Sequence, residues 1–308
     1  MKLHTYISHL LSLLLLVSAC EKPQFADDAS TNGGSTTTEQ RREGEHLVHF
    51  TAFSVSQLPF EGASVAHKAT ATPLAEACSR ITMAVFDADG KRQKIVSQQR
   101  GDATFGSFTI SLPEGLYTFV FIAHNGTAVP TITKPSEVKF KDNRLSDTFY
   151  HTEVLNITDD AQTAITLQRA VAMVRFVFND NTPTNIKQIK FFYTGGSSTL
   201  DPTTGYGCVN SRQTEVFTVP NTAYTSGSVY QVYTFPHANG KNLTLTVSAL
   251  DGIDANATAH YVRTFEDIEV QRNYITQCTG SFYGEDPDGA RSFTLTVNDN
   301  WGYTTYEY

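Results

Sequence analysis

The sequence predicts an all-β protein made of two β-sandwiches in tandem. From His46 onward nearly every apolar run is short or alternates with polar residues, and no stretch keeps helical spacing beyond one or two turns. Residues 1–19 have the pattern of a cleaved export signal, which leaves 308 − 19 = 289 residues. That length suits two domains of ordinary size better than one unusually large domain.

The N-terminal segment predicts export followed by lipid attachment. Its apolar run, Leu10 to Ala19, is about half of the roughly 20 residues that a membrane-spanning helix needs. The stretch Val-Ser-Ala-Cys at residues 17–20 resembles the lipobox of bacterial lipoproteins. The resemblance implies that Cys20 receives the lipid, palmitate included, and becomes the new N-terminus. An ordinary secretory signal is the alternative. Glu21 is not the aspartate associated with inner-membrane retention, so the outer membrane is implied.

The segment after the lipobox predicts a flexible tether. Residues 20–45 are poor in apolar side chains and rich in Gly, Ser, Thr and charge, so they cannot bury enough surface to offset the entropy of ordering.

Composition excludes several classes of protein. The net charge of −8 and the pI near 5.6 argue against a nucleic-acid partner, because no basic cluster is present to displace phosphate counterions. Once Cys20 is acylated, three widely spaced cysteines remain, and they fit no zinc or redox motif. Cys208 and Cys278 fall in the same predicted domain and could pair, but we expect no disulfide to be required for folding.

The first predicted domain spans residues 46–168. Its first strand is HLVHFTAF (46–53), and a hairpin follows in which the Asp89-Gly90 turn joins ITMAVFD (81–87) to KRQKIVSQ. A second hairpin is predicted where Pro113-Glu114-Gly115 joins FTISL (108–112) to LYTFVFIA (116–123). Both faces of that last strand are apolar, which is typical of a central strand in a two-layer sandwich.

The second predicted domain spans residues 169–308. Seven apolar runs predict its strands: AVAMVRFVF (170–178), IKFFY (189–193), VYQVYTF (229–235), LTLTVSAL (243–250), YVRTFEDIEV (261–270), NYITQC (273–278) and FTLTV (293–297). If the two sandwiches have separate cores, eight side chains should be buried. They are Phe86, Phe108, Phe119 and Val120 in the first domain, and Val174, Phe176, Leu245 and Val247 in the second.

The sequence offers no catalytic group, cofactor motif or metal site. His46 and His49 would point to opposite faces of a strand, and Asp87-x-Asp89-Gly90 lacks the later glutamate of a calcium loop. TGGSST (194–199) lacks the nucleophile elbow of hydrolases. The aromatic face of Tyr117, Phe119 and Phe121 could hold a sugar, but core packing is the preferred interpretation. We therefore predict that the protein is not an enzyme.

Several segments together resemble the FimB-type fimbrial anchor family of the Bacteroidales. They are the lipobox, the tether, AVFDADGK (84–91), LPEGLYTFVFIAHNG (112–126), LQRAVAMVRFVF (167–178) and FTLTVNDNWG (293–302). The similarity covers most of residues 20–308. That family belongs to the type V pili, so the resemblance implies two tandem transthyretin-like or Ig-like β-sandwich domains and fimbrial pilin subunits as partners.

The resemblance also raises the question of proteolytic activation. In polymerising subunits of such pili, an arginine-specific protease removes an N-terminal strand and opens a groove for a neighbour's C-terminal strand. Here a cut at Arg41 or Arg42 would remove only the tether, and Arg80 abuts a predicted strand. An uncut anchor therefore fits better than a shaft subunit.

An uncut anchor has no open groove, so it would act as strand donor through its C-terminal tail. The candidate partner-binding residues are Trp301, Tyr303, Thr305, Tyr306 and Tyr308. The alternative is that this tail simply completes the second sandwich as an edge strand. The predicted function is a surface-exposed outer-membrane anchor that holds a fimbrium and limits its length. A glycan-binding lipoprotein and a minor tip or stalk adhesin are the other candidates.

Overall fold

The computed structural model describes residues 41–56, 72–284, 293–299 and 302–305. The predicted signal, Cys20, most of the predicted tether, and Trp301, Tyr306 and Tyr308 lie outside the described residues. None of the helices in the described residues has the length and hydrophobicity that a bilayer crossing requires.

Ten strands lie in the described residues of the first half of the chain. They are β1 (Glu45–Ser56), β2 (Thr72–Pro73), β3 (Arg80–Phe86), β4 (Arg92–Gln99), β5 (Phe108–Pro113), β6 (Gly115–His124), β7 (Thr131–Lys134), β8 (Glu137–Lys139), β9 (Thr148–Ile157) and β10 (Ala161–Arg169). A one-turn helix, α1 (Leu74–Ala77), follows β2, and a 3-10 turn (Lys141–Asn143) precedes β9.

The first sandwich is one sheet folded back on itself. Its order is β2-β1-β10-β9-β6-β3-β4, with β5 paired to β1. β10 contacts β9 through only two register pairs, Gln168 with Tyr150 and Arg169 with Phe149, so the sheet bends there into two layers. The first core lies between these layers and includes Phe50, Ile110, Met83, Phe119 and Phe121.

One predicted hairpin is confirmed and the other is wrong. β3 and β4 pair antiparallel, and the Asp87 carboxylate accepts hydrogen bonds from the Asp89 and Lys91 N–H groups in the turn. Gly90 adopts a φ of 74°, as a tight turn of this kind requires. β5, however, pairs with β1, whereas β6 pairs with β3 and β9. The Pro113-Glu114-Gly115 corner therefore carries the chain from one layer to the other.

Eleven strands lie in the part of the second half that the structure describes. They are β11 (Ala172–Phe178), β12 (Gln188–Thr194), β13 (Thr199–Asp201), β14 (Tyr206–Gly207), β15 (Arg212–Thr218), β16 (Ser228–Thr234), β17 (Leu243–Leu250), β18 (Ala259–Ile268), β19 (Ile275–Gly280), β20 (Phe293–Asp299) and β21 (Gly302–Thr305). A 3-10 turn (Asn221–Tyr224) lies between β15 and β16.

The second sandwich has two separate sheets. One has the order β16-β11-β19-β20-β21 and the other the order β15-β12-β17-β18. In β17 the alternation of apolar and polar residues places Leu243, Leu245, Val247 and Ala249 in the core. Phe176 packs against Phe191 of the facing sheet, with ring centroids 5.2 Å apart. This second core is distinct from the first.

A third core joins the two halves of the chain. A small sheet with the order β14-β13-β8-β7 takes two strands from each half. Beneath it, Phe86, Val120 and Ile132 from the first half pack in one cluster with Leu200 and Phe235 from the second. The outer face of β3 and β6 is thus covered by residues from both halves of the chain.

The predicted fold class is confirmed: the protein is all-β, with two β-sandwiches in tandem. All eight side chains predicted to be buried are buried. The assignment of Phe86 and Val120 to the first domain's own core is wrong, since both belong to the third core. The domain limits at residues 45 and 168 stay predictions.

Candidate functional site

The first strand is held on both of its edges. β1 pairs parallel with β10 along one edge and antiparallel with β5 and β2 along the other. Its Phe50 ring lies 4.8 Å from the Phe119 ring and 5.0 Å from the Phe121 ring, measured between centroids in the first core. β1 is therefore an integral strand of the sandwich. Its Val48 and Phe50 side chains are fully buried, and removing the strand would expose the core residues that they cover.

The segment just before β1 also contacts the sandwich. Arg41 forms an ion pair with Asp160, and the other oxygen of Asp160 accepts a hydrogen bond of 2.9 Å from the Leu47 N–H. That backbone hydrogen bond and the Arg41 guanidinium lower the pKa of the Asp160 carboxyl. The Arg42 N–H donates to Ser111 Oγ at 3.4 Å. A cut after Arg41 or Arg42 would therefore leave β1 in place.

Arg80 lies at the start of a strand that has neighbours on both sides. Its register partners are Gln99 of β4 and His124 of β6. The guanidinium donates to Gln99 Oε1 at 3.1 Å, and Ile81, the next residue, is fully buried. A protease needs its target in an accessible extended segment, so the peptide bond after Arg80 is a poor site in the folded protein.

The C-terminal strand lies at the outer end of a sheet. β21 pairs antiparallel with β20, with Val297 opposite Thr304 and Asp299 opposite Gly302. Tyr303 and Thr305 lie on β21, whereas the other three candidate partner-binding residues lie outside the described residues. The tail thus forms a terminal strand whose second edge has no neighbour in the sheet order of the described residues. The role of these residues in partner binding stays a prediction.

A buried ion pair marks the joint between the halves, and sequence reasoning missed it. Arg169 is 6% exposed, and its guanidinium donates to Asp147 Oδ1 at 2.7 Å and Oδ2 at 2.9 Å. A third hydrogen bond, of 2.8 Å, goes to Asn273 Oδ1 in the second half. The guanidinium also lies 4.7 Å from the centre of the Phe149 ring. In the sequence, the available signal for this ion pair was Arg169 itself, a single arginine between two apolar runs.

A second arginine crosses the same joint from the opposite direction. Arg272, from the second half, donates to the Tyr150 hydroxyl at 2.7 Å and lies 4.8 Å from the centre of the Tyr206 ring. Thr152 Oγ1 donates to the Pro202 carbonyl oxygen at 2.8 Å. Together with the third core, these contacts fix the two sandwiches to each other.

The structure also places the residues that were considered for a sugar site, a metal site and a disulfide. Tyr117, Phe119 and Phe121 belong to the first core, so they form no open sugar platform. In the part of the chain that is described, no group of three or more His, Cys, Asp or Glu side chains could hold a metal ion. Cys78, Cys208 and Cys278 are free thiols, and burial raises the pKa of Cys278 to about 12.

Two solved structures align with most of this chain. A Bacteroides thetaiotaomicron protein described as a candidate polysaccharide-binding protein aligns over 85% of this chain and 99% of its own, with a TM-score of 0.51 and 13% identity. The fimbrial anchor protein Mfa2 from Porphyromonas gingivalis aligns over 86% of this chain and 100% of its own, at 14% identity and a TM-score of 0.43. The first of these alignments shows that the two proteins share a fold, and nothing more.

The family follows from the sequence itself. A model of the family described as fimbrillin-A associated anchor proteins Mfa1 and Mfa2 matches residues 52–307. The chain belongs to this family, which confirms its resemblance to fimbrial anchor proteins. The family is one of fimbrial anchor proteins, so its setting is the fimbria at the cell surface. A search of curated proteins finds no match.

Proposed function

We propose that this protein is the lipid-anchored base subunit of a surface fimbrium, which it holds to the outer membrane and whose length it limits. The observation that carries the proposal is the double pairing of β1, between β10 and β5, with Phe50 in the first core. A shaft subunit must give up its first strand to accept the next subunit. A subunit that keeps this strand offers no acceptor groove, so it can only end a polymer.

In this proposal the protein is attached to the membrane by a lipid on Cys20. Two or three acyl chains give stable anchoring where one would be marginal. Cys20→Ala should abolish fatty-acid labelling of the protein and move it from the membrane fraction to the medium. Glu21→Gln is the matched control, since it changes the neighbouring residue and leaves the thiol. Unchanged membrane association of Cys20→Ala would contradict the lipoprotein part of the proposal.

An uncut chain is the second requirement. Mass spectrometry of the mature protein should show one polypeptide that begins at Cys20, and replacing Arg41 and Arg42 together by Gln should leave fimbriae unchanged. A mature N-terminus at residue 81 would contradict the proposal, because the first strand would then be absent.

Docking of the first pilin is assigned to the terminal strand. A strand with one unpaired edge is the place where another chain can add to a sheet. Deleting residues 303–308 should leave the protein folded and membrane-bound while fimbriae detach from the cell. Deleting six tether residues, 29–34, is the control for a simple change in length. Fimbriae that stay attached after the C-terminal deletion, or that detach only because the protein unfolds, would place the docking surface elsewhere.

A further inference from the structure

A polar pocket of about 410 Å³ opens at one end of the second sandwich. It is built where β12 ends and β15 and β17 begin, around the glycine loop that follows Thr194. Arg212, Thr194 and Thr244 are register partners in one row across these three strands. Their neighbours Gln213, Tyr193 and Leu245 are buried, so the row faces outward from the core.

The shape of the pocket depends on the glycine loop. Gly195 has a φ of 97°, and a Cβ atom there would lie 2.2 Å from the Asn242 carbonyl oxygen. Any other residue would push the Asn242 segment away from β12. The loop therefore brings the Lys241-Asn242 segment close to the Asn210 to Arg212 segment, and the Lys241 ammonium donates to Asn210 Oδ1 at 3.0 Å.

The lining is cationic in an acidic protein. It contains Arg212 and Lys241 and no carboxylate, although the whole chain carries a net charge of −8. Among the described residues, Arg212 has no ion-pair partner within 4.0 Å. Two acidic residues of β18, Glu266 and Asp267, lie in the bulge between the register pairs Leu243–Ile268 and Leu245–Phe265, across from Thr244, and neither belongs to the lining. Side-chain amides and hydroxyls supply the rest of the wall, so the pocket can both neutralise an anion and hydrogen-bond to the groups around it.

An exposed aromatic ring lies next to the pocket. Phe192 is two residues before Thr194 on the same face of β12, about 7 Å away along the strand. It is 40% exposed and lies between Thr214 and Thr246 in the register. β12 is paired on both sides, so a peptide cannot reach Phe192 by adding a strand.

We propose that this surface, Phe192 together with the Arg212 and Lys241 pocket, binds an acidic saccharide. The anionic group, a carboxylate or a sulfate, would lie against Arg212, while a neighbouring sugar ring packs on the exposed face of Phe192. The amides of Asn210 and Asn242 would hydrogen-bond to sugar hydroxyls. This site is separate from the chain termini, so it stands whether or not the protein is a fimbrial anchor.

The test is calorimetric titration of the full chain with three tetrasaccharides of equal length: one of uronic acids, one sulfated and one neutral. Binding of an acidic tetrasaccharide, weakened about tenfold by Arg212→Gln and by Phe192→Ala, is the expected result. Binding should also weaken with added salt. Lys134→Gln and Val229→Ala remove an exposed cation and an exposed apolar side chain elsewhere, and they should leave affinity unchanged.

The outcomes separate the alternatives. A preference for the uronic-acid or the sulfated ligand identifies the anion and supports the proposal in either case. Equal binding of the neutral tetrasaccharide, or no binding of any, would overturn it. So would inorganic sulfate that competes as strongly as the sugar, or an acidic peptide of equal charge that binds as tightly, because the saccharide would then contribute nothing.

Discussion

Asp147→Ala should strongly destabilise the protein, because it would leave the Arg169 guanidinium charged and buried. The Arg169 side chain is 5% exposed and that of Asp147 is 19% exposed, so little water can replace the lost carboxylate. Removing one partner of a buried ion pair typically costs about 3–5 kcal/mol. Asn273 and Phe149 still contact the guanidinium, so we expect a loss near the lower end, about 3 kcal/mol.

The matched control is His260→Ala, which removes a side-chain contact of similar length to a carboxylate at the surface. His260 Nε2 lies 2.8 Å from Asp251 Oδ2, but the two side chains are 41% and 36% exposed. An exposed pair contributes about 0–1 kcal/mol. Urea denaturation followed by circular dichroism measures both losses in free energy of unfolding.

Hydrogen exchange should then show where stability is lost. Because Arg169 and the third core link the halves, Asp147→Ala should lower protection in β6 of the first sandwich and in β17 of the second. A loss of 1 kcal/mol or less, or a loss confined to the first sandwich, would refute the coupling of the two halves through this joint.

Three further predictions concern the cores, the thiols and pH. Phe119→Ala and Phe176→Ala should each lower the free energy of unfolding by about 3–5 kcal/mol in urea denaturation, and a loss under about 1 kcal/mol would contradict their core positions. In the native protein, exposed Cys208 should be alkylated well before buried Cys278, and equal rates would contradict that burial. Burial lowers the pKa of His124 to about 4, whereas in the unfolded chain it stays near 6.5, so the unfolded state binds this proton first as the pH falls. The free energy of unfolding of the wild type should therefore fall by up to about 3 kcal/mol between pH 6.5 and pH 4. An equal fall in His124→Asn would contradict this account.

Local sequence patterns predicted individual strands but not all of their partners. The alternation in residues 243–250 gave β17, and Asp89-Gly90 gave the β3–β4 turn, since both signals act within a few residues. Pro113-Glu114-Gly115 has the residues of a tight turn, yet Thr109 of β5 pairs with His49, 60 positions earlier. Which strand β5 joins depends on packing across the whole sandwich, and no local pattern carries that information.

The candidate functional surfaces divide in the same way, into features that a local sequence pattern predicts and features that it does not. The alternation in the tail predicted a strand, and β21 forms over Gly302–Thr305. The joint and the polar pocket were missed because each gathers residues from distant segments. Arg212 and Lys241, for example, meet only because the Gly195 loop brings two loops together.

Pull-down of the native protein from sheared and unsheared cells tests the anchor proposal most directly. If the protein is the base subunit, shearing should leave it on the cells, and pilin subunits should co-purify with it in large excess from unsheared cells only. The recovered chain should begin at lipid-modified Cys20 and retain β1. Recovery of the protein with the sheared fimbriae, at their tips or along their length, would contradict the account and identify a tip or stalk subunit instead.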